Sequence, residues 1–262
     1  MDTIGIDIGA TKINFVLLRN QRVLKTKKIS TPKHKKDLIK LLKENILKFS
    51  RASTREIKGV GIGMAGPLNK KRDLILKPPN LKCLRNTRLA EIIQRKVKIK
   101  TVMENDGNCF TLGEALTGAG KAASIVFGVT LGTGVGGGIV VNKKIYRGAF
   151  GSAGEVGHIT INFKGPRCDC GNYGCLEAYC SKRINNEYGK KLGIGLANVI
   201  NLLDPEVIVL GGGIANNYNL FIRETKKEIK KRVISPISKK NVKIKKAQLG
   251  DLSGAIGAAL LL

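Results

Sequence analysis

Two segments of this chain follow one plan. IGIDIGATKINFVLL, Ile4 to Leu18, and FGVTLGTGVGGGIVV, Phe127 to Val141, each run from an apolar strand through a Gly/Thr turn into a second apolar strand. Helix-patterned sequence follows each hairpin. DLIKLLKENILKF places Leu38, Leu41, Leu42, Ile46 and Phe49 on one helical face. LGIGLANVINLLDPEVIVLGGGI, Leu192 to Ile214, reads as helix, buried strand and Gly-rich turn. Between them, IKGVGIGMAG and VKIKTVMEND read as strands, and LAEIIQRK and CFTLGEALTGAG as helices. GDLSGAIGAALLL closes the chain as a short apolar helix. A repeated hairpin-and-helix unit predicts an α/β fold of two duplicated domains with a cleft between them. The expected division is a smaller N-terminal domain over 1–106, with the terminal helix 252–262 packed back on it. A larger domain over 107–251 would carry the Gly- and Cys-rich loop from Gly148 to Tyr179.

The 262 residues suffice for such a pair, and 42% hydrophobic content is globular rather than disordered. The charge balance is extreme, 47 basic against 19 acidic side chains, or +28. That balance suits a polyanion binder. The lysines are spread along the chain, however, without interleaved aromatics to stack bases and without a nucleic-acid motif. A solvated Lys-rich surface is expected instead, with no nucleic-acid partner. No apolar run is long enough for a membrane span, and the opening MDTIGIDIG is strand-like rather than a cationic leader. A cytoplasmic protein is therefore expected. In that setting close-set cysteines point to metal rather than disulfides.

Gly61-Ile-Gly63-Met-Ala-Gly66 and Gly132-Thr-Gly134-Val-Gly-Gly137 both match G-x-G-x-x-G literally. A dinucleotide loop must open a helix, whereas Pro67 follows the first match and the β-branched run IVV the second. A Gly turn between strands offers backbone N–H groups as an anion nest instead. Asp7, Gly9, Thr11 and Lys12 in one turn, and Gly132, Thr133 and Gly134 in the other, suit the phosphates of a nucleotide. Asp7 stands at a strand end, where a carboxylate can hold Mg²⁺ through water.

DIGATKI, GIGMAGPL, PPNL, ENDGNCFTLGEA, LGTGVGGGIV, GEVGH, CDCGNYGCLEAY and LDPEVIVLGGGI occur in that order. Together they resemble the ROK sugar kinases of the hexokinase/actin-like ATPase superfamily, along nearly the whole chain. The resemblance implies a duplicated actin-like (ribonuclease H-like) fold and transfer of the γ-phosphoryl group of ATP to a hexose hydroxyl. Asp106 matches the family's base, able to accept the hydroxyl proton. Read without the family, it would be a helix N-cap. The resemblance assigns the sugar to Gly66, Asn80, Asn105, Asp106, Glu155, His158 and Glu177, amides and carboxylates suited to paired hydroxyls. It assigns the nucleotide, with Mg²⁺, to the two glycine turns and to Gly211, Gly212 and Gly213. GCLEAY and ITIN favour glucose. NCFTLGEA and FGVTLGTGVGGGIVV are also similar to fructokinase and N-acetylhexosamine kinase branches.

The C-x-C-x₄-C spacing supplies three thiolates, and zinc takes four ligands. Of two histidines, His34 lies in a basic run and His158 lies ten residues before Cys168. His158, Cys168, Cys170 and Cys175 make a closed, structural Cys₃His set, on positions where the family holds zinc. One ring nitrogen of His158 would bind metal while the other faces the sugar. Zinc loss is then expected to weaken sugar binding more than ATP binding. Cys83, Cys109 and Cys180 fall outside the spacing and read as small buried residues.

The chain departs from the family after CLEAYCS. Only KRINNEYGKK precedes the LGIGLANVINLLDPE helix, several tens of residues fewer than usual. A shortened second domain follows, which puts the usual dimer in question. Some relatives are sugar-responsive repressors with an N-terminal helix-turn-helix, and here the first phosphate motif begins at residue 4. A regulator or a non-catalytic sugar sensor is therefore the lesser expectation.

Overall fold

The structure, a computed structural model, describes residues 1–78 and 80–262. The first elements are β1 (Asp2–Ile8), β2 (Lys12–Arg19), β3 (Arg22–Ser30), α1 (Lys35–Arg51), β4 (Ile57–Met64), α2 (Leu89–Val97), β5 (Thr101–Asn105) and α3 (Asp106–Thr117). There follow β6 (Ile125–Leu131), β7 (Val135–Val141), β8 (Lys144–Ile145), α4 (Leu176–Cys180), α5 (Tyr188–Leu203) and β9 (Val207–Gly211). The chain ends with α6 (Tyr218–Arg232), α7 (Pro236–Asn241), β10 (Lys243–Lys246) and α8 (Ser253–Ala259). Two units form. The first comprises Met1–Gly113, Arg147–Ser152 and Asp251–Leu262; the second comprises Glu114–Tyr146 and Ala153–Gly250. The division thus falls inside α3 rather than at Asp106, and Arg147–Ser152 joins the first unit through the Arg147–Glu104 ion pair.

In the first unit the sheet order is β3-β2-β1-β4-β5. β1 runs antiparallel to β2 and parallel to β4, and β4 parallel to β5. The central strands are near-continuous apolar runs because both faces are covered. α1 buries Leu38, Leu42, Ile46 and Phe49, with Leu41 half-buried at the edge of that face. Phe49 meets Phe15 with ring centroids 5.8 Å apart. α8 lies against β1 and β4 at backbone distance: a Cβ on Gly5 would come within 1.9 Å of the Ala255 carbonyl oxygen, and one on Gly61 within 1.8 Å of that of Ala258.

The second unit repeats the topology. Its order is β10-β9-β6-β7-β8, with β6 antiparallel to β7 and parallel to β9, and β9 parallel to β10. β6, β7, β8, β9 and β10 thereby take the places of β1, β2, β3, β4 and β5. The duplicated α/β fold expected from the twin hairpins is the fold observed.

Four elements carry no clear sequence signal. β3 (RVLKTKKIS) is exposed along most of its length, and β10 (KIKK) fully buries only Ile244. Both are sheet edges, where lysines discourage pairing with another chain. α6 looks like a solvated basic run because only Phe221, Thr225, Glu228 and Ile229 are buried. α7 is six residues long, capped by Ser235, whose hydroxyl accepts from Ser238 N.

Candidate active site

In the first unit the β1–β2 hairpin closes as Gly9 N donates to Lys12 O at 3.0 Å. Thr31 braces the turn, its N–H donating to Thr11 O at 3.0 Å and its hydroxyl to Gly9 O at 2.8 Å. Thr11 and Lys12 are exposed at the tip. Asp7 pairs in register with Asn14 just before the turn. Desolvation pushes its carboxyl up to about 7, the Asp106 carboxylate adds to the rise, and Asn14 opposes it. Asp7 and Asp106 therefore belong to one electrostatic neighbourhood, although 99 positions separate them in sequence (7 to 106).

Asp106 opens α3, and its Oδ1 accepts from Gly107 N at 2.9 Å. The cap of α3 is supplied by Asn105, whose Oδ1 accepts from Asn108 N at 3.2 Å, rather than by Asp106 as a reading without the family would have it. A carboxylate in the first turn also meets the positive end of the helix dipole. Gly66, at φ +109°, ends the strand–turn GIGMAG. Asn80 is exposed, and Pro79 of the PPNL stretch lies outside the described residues.

A further group was not flagged by sequence. Glu104 is 1% exposed and ion-paired to Arg72 Nε at 2.8 Å and Arg147 Nε at 2.7 Å. Burial opposes its charge, but the Asn105 N–H and the two guanidiniums outweigh that and hold the carboxyl below its ordinary range. A charged residue within a largely buried strand, TVMEN, was the available signal, since a buried charge requires partners.

In the second unit Gly132 N donates to Gly134 O at 3.0 Å, closing the β6–β7 hairpin. Glu177, in the first turn of α4, reaches this hairpin: its Oε2 accepts from Val135 N at 2.8 Å. A Cβ on Gly134 would lie 2.5 Å from that oxygen, so the contact requires glycine there. Lys182 N donates to Gly132 O at 2.8 Å, a second tie from the end of α4. Gly132 and Gly213 have no protein atom within 4 Å of a would-be Cβ. Gly212 takes φ +85°, just past β9.

The four expected metal ligands converge. Cys168 N donates to Asn172 O and Gly171 N to Cys168 O, folding a tight knuckle. Leu176 N donates to Ile159 O, bringing α4 beside the turn Val156–His158 that follows Glu155. The ligand atoms of His158, Cys168, Cys170 and Cys175 all lie within 4.8 Å of one another. His158 Nδ1 is 3.9 Å from Cys168 Sγ, and Cys170 Sγ is 3.7 Å from Cys175 Sγ. Tetrahedral zinc with Zn–S near ~2.3 Å sets its sulfurs ~3.8 Å apart, so the donor set fits. Burial pushes the Cys175 thiol up to about 12. Among the remaining cysteines Cys109 and Cys180 are buried and Cys83 is half-buried.

The comparisons agree with this architecture. The ROK family model matches residues 3–188 and 182–262. A glucokinase of Streptomyces coelicolor is 31% identical, over 98% of this chain and 96% of its own length. A xylose repressor of Caldicellulosiruptor bescii is 30% identical, over 97% of this chain and 76% of its own length. The crystal structure of a ROK family glucokinase from Streptomyces griseus, in complex with glucose and AMPPNP, superposes with a TM-score of 0.86 at 30% identity, covering 100% of this chain and 99% of that one. A mixed α/β fold of two matching sheets, with these motifs in this order, defines a ROK protein, and this chain belongs to the ROK family. It is similar both to sugar kinases and to a repressor. The alignment to the Streptomyces coelicolor glucokinase spans 307 positions, 45 more than the 262 residues present (307 − 262). The family match is in two pieces that meet at 182–188, where the connection is short. No helix among the described residues is long and apolar enough to cross a membrane.

Proposed function

We propose that this protein transfers the γ-phosphoryl group of ATP to a hexose hydroxyl, glucose being the leading acceptor. The observation that carries this is Asp106, a carboxylate at the first turn of α3 in the same electrostatic neighbourhood as Asp7. Such a pair divides the labour of phosphoryl transfer: Asp106 accepts the hydroxyl proton, while Asp7 meets the Mg²⁺ of the nucleotide through water. Asp7, Gly9, Thr11 and Lys12 would hold phosphate in the first unit, and Gly132, Thr133 and Gly134 with Gly211, Gly212 and Gly213 in the second. The open space beside Gly132 and Gly213 suits a ligand's close approach. Gly66, Asn80, Asn105 and Asp106 would serve the sugar from the first unit, and Glu155, His158 and Glu177 from the second. Zinc on His158, Cys168, Cys170 and Cys175 would be structural, fixing the His158 ring through Nδ1 and reserving Nε2 for the sugar.

Coupled-assay turnover of ATP with glucose, fructose, mannose, N-acetylglucosamine and N-acetylmannosamine tests the reading. Turnover is expected with at least one, and silence with all five rejects it. The repressor relative keeps a second reading in view, a sugar-binding regulator. Asp106→Asn separates the two: a kinase loses ~10²–10⁴-fold in rate while sugar still binds, whereas a regulator has no rate to lose.

A further inference from the structure

Glu104 is the last residue but one of β5, immediately before Asn105 and Asp106. Burying a carboxylate costs several kcal/mol unless good geometry and further hydrogen bonds offset it. Here both oxygens are saturated. Oε1 accepts from Asn105 N at 2.9 Å and from Asn108 Nδ2 at 3.1 Å. Oε2 accepts from Arg72 Nε at 2.8 Å and Arg147 Nε at 2.7 Å. Arg72 reaches on to the carbonyls of Lys70 at 3.2 Å and Gly151 at 3.4 Å. One oxygen thus holds the turn that begins α3, and the other holds two loops distant in sequence.

The two residues bound by Oε1 flank Asp106, and they also bind each other, since Asn105 Oδ1 accepts from Asn108 N at 3.2 Å. Three side chains therefore fix the backbone of one helical turn at its only carboxylate. An apolar residue in place of Glu104 would spare the cost of burying charge, yet would leave the Asn105 N–H and the Asn108 amide without partners.

We propose that Glu104, clamped by Arg72 and Arg147, is a positioning residue that locks the Asn105–Asn108 turn and so aims the Asp106 carboxylate at its acceptor. The proposal rests on the reading of Asp106 as the base. Misplacement of a reacting group by about 1 Å can cost about 10²-fold in rate, so a loosened turn is visible in kinetics.

Glu104→Gln keeps the shape but turns one acceptor into a donor, so it serves the asparagines or the arginines but not both. Arg147→Lys is the milder variant, since Arg147 is 42% exposed and its replacement keeps the charge. The experiment measures kcat for both variants in the wild-type and Asp106→Asn backgrounds, together with amide hydrogen exchange over residues 104–110. The expected result is a loss of at least tenfold in kcat for Glu104→Gln, a smaller loss for Arg147→Lys, and less than twofold further loss once Asp106 is Asn. Faster exchange should be confined to 104–110. Equal losses in both backgrounds would assign Glu104 a general structural role and overturn the proposal, as would unchanged exchange over 104–110. If the wild-type chain turns over no sugar, the kinase reading fails by itself, while the exchange data still decide whether Glu104 locks the turn.

Discussion

Replacing Gly61 by Ala tests how the C-terminal helix supports the first unit. The new Cβ would lie 1.8 Å from the Ala258 carbonyl oxygen and 2.5 Å from its carbonyl carbon. Ordinary contact begins at 3.4 Å, so one wall must yield by about 1.6 Å (3.4 − 1.8). Neither yields easily. β4 is hydrogen-bonded on both sides, to β1 and β5, and α8 is buried throughout. Overpacking typically costs about 1–3 kcal/mol where side chains can adjust, and here both surfaces are backbone. A loss of about 3 kcal/mol or more is expected, a large share of the ~5–15 kcal/mol that holds a domain folded. The displacement would reach the site as well. A Cβ on Gly254 would sit 2.8 Å from Asp7 Cγ, and one on Gly257 1.7 Å from Cys109 O in α3, so α8 supports both the β1–β2 hairpin and the helix of Asp106. Urea titration of wild type, Gly61→Ala and Gly132→Ala reads the effect. Gly132→Ala, with no atom within 4 Å, should stay within about 0.5 kcal/mol of wild type. A Gly61→Ala loss below about 1 kcal/mol would show that α8 is not seated against the sheet and would remove this account of how Asp7 is supported.

Other outcomes follow from particular contacts. Chelating zinc, or replacing Cys175 by Ser, should weaken nucleotide as well as sugar binding, because Glu177 beside the cysteine loop also holds Val135 N of the second glycine hairpin; calorimetry with each ligand checks it. A loss on both sides differs from the sugar-weighted loss expected from His158 and Glu177 facing the sugar, because the contact of Glu177 with Val135 N adds a route to the second glycine hairpin. Tyr188→Phe removes a buried bond to Cys180 O of 3.1 Å and should cost about 1 kcal/mol in urea titration, with little change in secondary structure by circular dichroism. The Asp2–Arg19 pair makes stability depend on acid: the Asp2 carboxyl is lowered from 3.8 to about 2, first by the Arg19 hydrogen bond. A depressed folded-state pKa stabilises above the unfolded value and loses that contribution as pH falls towards 2. The melting-temperature gap between wild type and Asp2→Asn should therefore be present at neutral pH and close between about pH 4 and 2.

Legibility in the sequence tracked the range of the interaction. The hairpins of β1–β2 and β6–β7 could be read because turn and strand signals lie within fifteen residues, and their repetition fixed the duplicated topology. The Cys₃His cluster could be read because three of its ligands lie within eight residues. The Glu104 clamp could not, because Arg72 and Arg147 lie 32 and 43 positions away and look like surface charges in isolation. β3, β10 and α6 were hidden for a different reason. Their lysines face solvent, so the apolar periodicity that marks an element is reduced to a few buried positions. The cap of α3 comes from Asn105, one residue before the Asp106 that local sequence alone would pick, because the helix begins at Asp106 itself.

The shortened connection between α4 and α5 explains how a ROK chain can lose so many residues and keep its motifs in register. Ser181 to Glu187 must join the end of α4 to the start of α5 without disturbing Glu177, one turn away. Cys180 and Tyr188 bracket the gap and bond across it: Tyr188 OH donates to Cys180 O at 3.1 Å, and Cys180 Sγ lies 3.9 Å from Tyr188 O. Both are fully buried, and the Tyr188 ring packs on Phe221 of α6 at 5.1 Å between centroids. The ends of the connection are thus set by core contacts rather than by its length. Shortening a loop whose ends are already held close lowers its closure entropy only slightly, by about 0.6 kcal/mol per halving. Within the connection, Lys182 takes a left-handed φ of +67° and spends its N–H on Gly132 O. The shortcut is therefore tied to the second glycine hairpin, and α4, the cysteine loop and that hairpin remain one hydrogen-bonded block in a chain of 262 residues.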